Sequence, residues 1–255
     1  MWQLSHPDHP HKSYLFGTIH VRDRRAFFRC DEVIEKVQAC DVFASEVDLD
    51  ELSSAGVPDY FFLPEGQSVR ENLGERRFLR GQKILNKAFG VDLSAFDQML
   101  PFLTINAVSL ECLNSEEPMP LDLYLWTVAK SIQKETTGLE TIQDQADLLG
   151  QIPVDWQFLQ LKDMLTNVSG FRKSVRNMLE CYVRQDTMKL YQSSKKKMGS
   201  IKDQLIYIRN EKMSNRLFEI HKSQSILAAI GAGHLSGQFG MISLLRKKGF
   251  KVQPI

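Results

Sequence analysis

Two short segments of this 255-residue sequence share the pattern G-x-x-H: Gly17-Thr18-Ile19-His20 and Gly231-Ala232-Gly233-His234. Each closes an apolar run with strand character, and sheet proteins gather ligands at the carboxyl ends of their strands. A glycine there lets the backbone pass close to a ligand or a neighbouring strand, and the imidazole behind it can bind a metal or move a proton near neutrality. Either histidine alone reads first as a hydrogen-bonded structural residue; two of them at strand ends make the stronger case for chemistry.

Glu46-Val47-Asp48 is the next signal. Period-two geometry puts both carboxylates on one face, which suits a metal ligand with a supporting acid, or a general base with a neighbour that tunes it. The bland alternative is a solvated strand exit beside Asp50 and Glu51. Glu140 ends another strand candidate and would face the same crevice. On a late helix, Ile206, Met213, Leu217 and Ile220 form an apolar stripe on which Arg209 falls. A guanidinium there must snorkel outward or find a carboxylate, and Glu46 and Glu140 are the natural partners.

The elements that must position these groups follow from periodicity. Residues 2–4 and 13–20 read as strands joined by a polar turn, with His6, His9 and His11 exposed in it. Residues 24–40 form an amphipathic helix and 41–47 a buried strand. From about 57 to 222 the pattern is mostly helical, broken at Pro64, Pro101, Pro118 and Pro120, with one strand at 135–140 followed by Thr141 as a helix cap. His221 reads as exposed on a polar helix end. Residues 225–231 are a second buried strand, 241–248 a helix stopped by Gly249, and 250–255 a last strand. The expected fold is α/β (α+β): a single domain, 1–255, whose central mixed sheet is built from the two ends of the chain and covered by a large helical insertion.

Composition and missing motifs narrow the function. The chain is 43% hydrophobic and 25% charged, which excludes disorder, and 32 basic against 31 acidic residues leave a net charge of +1, no field for a polyanion. Nucleic acid is not an expected partner. Cys30, Cys40, Cys112 and Cys181 have no C-x-x-C spacing and read as reduced, mostly buried thiols. The run Lys195-Lys196-Lys197 reads as a solvated face. H-E-x-x-H, G-x-x-x-x-G-K-[ST] and G-x-S-x-G are absent. Gly231, Gly233, Gly237 and Gly240 do not make a dinucleotide loop, because Ser236 takes the third glycine position and Lys251 lies where an acid is needed. No signal peptide or membrane-length apolar run is present, so the expectation is a cytoplasmic protein with no membrane insertion.

Taken together, the segments 13–21, Glu46-Val47-Asp48, Gly138-Leu139-Glu140-Thr141, Arg209-Asn210 and 230–237 resemble the TraB/GumN family, which includes the TIKI metalloproteases, and are more distantly similar to erythromycin esterases. The resemblance implies an α/β fold whose crevice holds both G-x-x-H histidines and a strand-end glutamate. It implies His20, Glu46 and His234 as catalytic residues and as ligands of a divalent metal (Mn, Co or Zn), with Glu140 and Arg209 supporting catalysis and Asn210 and Asp48 near the substrate. The implied activity is metal-dependent cleavage of a peptide or small ester. Two rivals stay open: a metal-independent, esterase-like hydrolase, and a non-catalytic protein that sequesters a peptide. Nothing in the sequence fixes the oligomeric state.

Overall fold

A computed structural model describes residues 1–54, 58–198 and 203–255. Val57, where the helical insertion was expected to begin, and Lys202, where the helix carrying Arg209 was expected to begin, lie outside the described residues, as do the side chains of Lys195, Lys196 and Lys197.

Among the described residues, six strands form one sheet: β1 (Trp2–His6), β2 (His9–Thr18), β3 (Val42–Val47), β4 (Glu135–Glu140), β5 (Ile226–Gly231) and β6 (Lys251–Pro254), in the order β4-β3-β5-β2-β1-β6. β4, β3, β5 and β2 run parallel, and β1 is antiparallel to both β2 and β6. The sheet is therefore mixed, and its central strand, β5, comes from the last thirty residues. β5 reads Ile-Leu-Ala-Ala-Ile-Gly with five buried positions in a row, the signature of a strand covered on both faces.

The helices are α1 (Cys30–Ala39), α2 (Leu49–Ser54), α3 (Val69–Leu73), α4 (Glu75–Phe89), α5 (Pro101–Glu111), α6 (Leu121–Ser131), α7 (Ile142–Gln151), α8 (Val154–Thr166), α9 (Val168–Val183), α10 (Thr187–Met198), α11 (Arg209–His221) and α12 (Met241–Lys247). The expected capping role of Thr141 is realised as a capping box: its hydroxyl accepts from the Asp144 amide while the Asp144 carboxylate accepts from the Thr141 amide. The helix expected over 24–40 is split, because Asp23 caps a short 3-10 turn at Arg24–Phe27 before α1 begins.

Among the described residues, two apolar clusters build the interior. One packs α1, α6, α11 and α12 against the sheet around Leu15, Phe43, Leu125 and Leu217. The other lies within the helical insertion, around Phe78, Leu85, Leu93 and Leu161, and Leu113 packs against both. The insertion is thus a lobe with its own core as well as a cover. All four cysteines are free, two buried and two half-buried, and burial pushes the Cys40 thiol up to about 12. No described helix is long and apolar enough to cross a membrane.

The histidine-rich turn departs from expectation. β1 and β2 are joined at Pro7 and Asp8 alone, with His6 paired to His9, so His9 and His11 lie on the strand itself. His6 stacks on His9 and edges against Phe250, and both His9 and His11 meet the ring of His221. His221 is fully buried rather than exposed. The hydroxyl of Ser13 accepts from the Ile226 amide and bonds Nδ1 of His221 at 2.7 Å. Polar turn composition misled here because the imidazoles are flat enough to pack on phenylalanine rings.

Candidate active site

Parallel register places the candidate residues. Thr18 pairs with Gly231 across β2 and β5, and Val47 pairs with Glu140 across β3 and β4. The carboxyl ends of four adjacent strands therefore meet along one edge. Glu46 is the penultimate residue of β3, Glu140 the last of β4, His20 follows β2 by two residues, and His234 follows β5 by three. Arg209 and Asn210 open α11, entered through a π-helical turn, Asp203–Ile208. Such turns shift the side-chain register of a helix and recur at functional sites.

Arg209 turns inward. Its Nε donates to both Glu140 oxygens at 3.0 and 2.9 Å, and Nη2 donates to Glu140 Oε2 and Glu46 Oε2, each at 2.5 Å. One guanidinium thus clamps the buried Glu140 and the half-buried Glu46, the fork geometry that a lysine lacks. The other Glu46 oxygen accepts from the Gly231 amide at 2.7 Å. A side chain at 231 would bring a Cβ within 3.1 Å of that oxygen, so the carboxylate would have to give way by a few tenths of an ångström. The other motif glycine, Gly17, is packed so closely that a Cβ would stand 2.5 Å from Leu235 Cδ1.

His234 is held by the neighbour of Arg209. Asn210 Oδ1 lies 2.6 Å from His234 Nδ1, while Asn210 Nδ2 donates to the carbonyls of His234 and Phe239 at 3.2 and 2.7 Å. Asn210 is fully buried, so it orients the imidazole and the loop behind it. With Nδ1 facing an amide oxygen, Nδ1 carries the proton and Nε2 is left as the lone-pair nitrogen, 3.4 Å from Arg209 Nη1. His20 shows the same logic on the open side of the crevice. Its Nδ1 faces both oxygens of Asp122, at 2.8 and 3.0 Å, and its side chain is 57% exposed.

These surroundings separate the titrating groups. Burial pushes the Glu46 carboxyl up, but the charge of Arg209, helped by the Gly231 amide, outweighs it and holds the group at about 2. For Glu140 burial wins over Arg209 and the shift is upward. Burial drives His234 down to about 4, leaving it neutral at pH 7. For His20 burial works downward, yet the bond and charge of Asp122 with the charge of Glu46 prevail and raise it. Arg209 loses to burial but gains more from its two acids, and stays charged.

Of the residues picked from sequence, His234, Glu46, Glu140, Arg209 and Asn210 form one connected network, and His20 sits at the neighbouring strand end. Asp48 stands apart: its carboxylate accepts from the amides of Asp50 and Glu51 and starts α2. Asp122 was missed. It lies in the first turn of α6 behind Pro120, where an acid reads as a helix-dipole residue, and nothing in the sequence ties it to a histidine 102 positions away. A cavity of about 30 Å³, room for a single water, abuts Gly17 and Ala232, but His20, Glu46 and His234 do not line it.

The sequence matches the model of the TraB/PrgY/gumN family over residues 1–254. The chain belongs to the TraB/PrgY/gumN family. Curated relatives of this TraB/PrgY/gumN chain include Metalloprotease TIKI2 of Danio rerio, 22% identical over 99% of this chain and 60% of the relative. Metalloprotease TIKI1 of Homo sapiens is 21% identical over 94% of this chain and 59% of the relative. The Metalloprotease TIKI homolog of Amphimedon queenslandica is 21% identical over 94% and 58%. The chain spans about 60% of the length of these relatives. No solved structure matches it. In this member of the family, His20, Glu46, Glu140, Arg209, Asn210 and His234 of the resembling segments gather at the strand ends, while Asp48 does not.

Proposed function

We propose that the crevice at the carboxyl ends of β2, β3, β4 and β5 hydrolyses a peptide or small ester bond. One observation carries the reading: two imidazoles at adjacent strand ends each have Nδ1 engaged by an oxygen, which leaves each Nε2 as the reactive nitrogen. His20, open to solvent and oriented by Asp122, accepts the proton of the attacking water. His20 then returns that proton to the leaving group, while His234, neutral and fixed by Asn210, accepts a hydrogen bond at Nε2 from the attacking water or a substrate N–H. Arg209 has its Nε and Nη2 committed to Glu46 and Glu140, so its main part is to hold Glu46 in place and to supply positive charge beside the developing oxyanion.

The relatives' names raise a divalent metal, and the donor set fits one only in part. Imidazoles whose Nδ1 faces a carboxylate or amide oxygen have the arrangement of metal-ligating histidines. Glu46 does not fit, because Gly231 and Arg209 already take its two oxygens and a guanidinium faces His234 Nε2. Among the described residues no three His, Cys, Asp or Glu side chains are grouped to hold an ion. The steps above therefore use the chain's own side chains.

The test is to strip the purified protein with chelator, reload it with Mn²⁺, Co²⁺ or Zn²⁺, and screen peptide and ester libraries alongside His20→Ala, His234→Ala and Glu46→Gln. Turnover that survives chelation and is lost in all three variants supports the proposal. Turnover that appears only on reloading places an ion in the crevice and overturns the role given to Arg209. Peptide retained intact under every condition makes the protein a binder.

A further inference from the structure

Far from the strand ends, α4 gathers Arg76, Arg77, Arg80, Lys83 and Lys87 against one acid, Glu75, in a chain whose net charge is only +1. Glu75 is already bonded by Arg70, at 2.7 and 2.9 Å. Arg77 and Arg80 wall a groove of about 320 Å³ between α4 and α8. Its floor is Leu73, Ile84 and Leu165, and Lys162 stands on the opposite wall. Gly81 lets the helices close at the base, where a Cβ would lie 3.1 Å from Leu165. On α8, Leu159 lies one turn before Lys162 on the same face and is 57% exposed.

Among the described residues, the side chains of Arg77, Arg80 and Lys162 take part in no ion pair or hydrogen bond. Arg77 and Arg80 are three apart on the helix, so their charges repel at close range. A groove with three unneutralised cations around an aliphatic floor calls for carboxylates joined to an apolar side chain. We propose that it docks an acidic, amphipathic segment of a partner protein, with carboxylates on the Arg77 and Arg80 forks and on Lys162 and an aliphatic side chain on Leu73, Ile84 and Leu165. Docking to a lipid surface buries a continuous apolar helix face, whereas here Leu73, Ile84 and Leu165 lie in a groove lined also by Arg77, Arg80 and Lys162. The floor has no aromatic ring on which a base would stack.

The probe is a fluorescently labelled peptide with Glu and Leu at helical spacing, titrated with the full chain and followed by anisotropy. Saturable binding that weakens with salt is expected, reduced about tenfold or more in Arg77→Glu/Arg80→Glu and separately in Lys162→Glu. Arg77→Lys/Arg80→Lys should fall between, since lysine keeps the charge and loses the fork. Thermal melting confirms that these surface variants fold. Equal binding of the same peptide with Gln for Glu, insensitivity to all three variants, or uptake by phosphatidylserine vesicles without binding of the peptide would each overturn the proposal.

Discussion

Arg209 is a largely buried cation, its side chain 14% exposed, and among the described residues it is the ion-pair partner of both Glu46 and Glu140. Truncating it leaves two carboxylates desolvated and facing each other, so Arg209→Ala should lower stability by about 3–5 kcal/mol in urea unfolding. A loss below about 1 kcal/mol would mean that water replaces the guanidinium and that the clamp is not structural. His221 makes a prediction of the opposite electrostatic kind. Burial, with His9, His11 and His6 nearby, brings it from an ordinary 6.5 to about 4. The unfolded chain therefore binds a proton between pH 6.5 and 4 that the folded chain refuses. Stability is full above pH 6.5 and falls as the pH drops toward 4, by up to about 3 kcal/mol. Melting temperature against pH should lose most of this slope in His221→Gln.

At the scale of elements, the site depends on backbone at the end of β5. The Gly231 amide fixes one Glu46 oxygen, and a methyl at that position meets the same oxygen at 3.1 Å. Gly231 has an ordinary negative φ, so Gly231→Ala carries no backbone strain and should move stability by less than about 1 kcal/mol. The carboxylate must shift by a few tenths of an ångström, and kcat/KM on a substrate found by library screening should fall about tenfold or more. Unchanged turnover would remove Glu46 from the chemistry. The same junction explains what periodicity read correctly. β3 and β5 are buried along most of their length, whereas the strand expected over 13–20 begins at His9, where polar residues alternate over a histidine cluster, and ends at Thr18, two residues before His20.

At the scale of the molecule, the order β4-β3-β5-β2-β1-β6 makes β5 the strand on which the rest is assembled, flanked on both sides by parallel partners. Its amides should exchange with solvent only by global unfolding and be the slowest in the protein, with the edge strands β4 and β6 exchanging earlier. Equal protection of β6 and β5 in hydrogen exchange would show that the sheet does not open from its edges. The helical lobe, with its own core around Phe78 and Leu85, gives a second group of protected amides.

What the sequence determined by itself is local: which runs are strands, where Thr141 caps a helix, and that two G-x-x-H segments and a glutamate stand at strand ends. These follow from side-chain period and terminal hydrogen bonding, which act over a few residues. Partner choice was decided only by tertiary structure. Arg209 turning inward rather than snorkelling, Asp122 meeting His20, and His221 going into the core all depend on groups more than a hundred positions apart meeting across the fold. Charge and hydrogen-bond satisfaction depend on distance in space, and the sheet order that sets those distances is not encoded in any single segment.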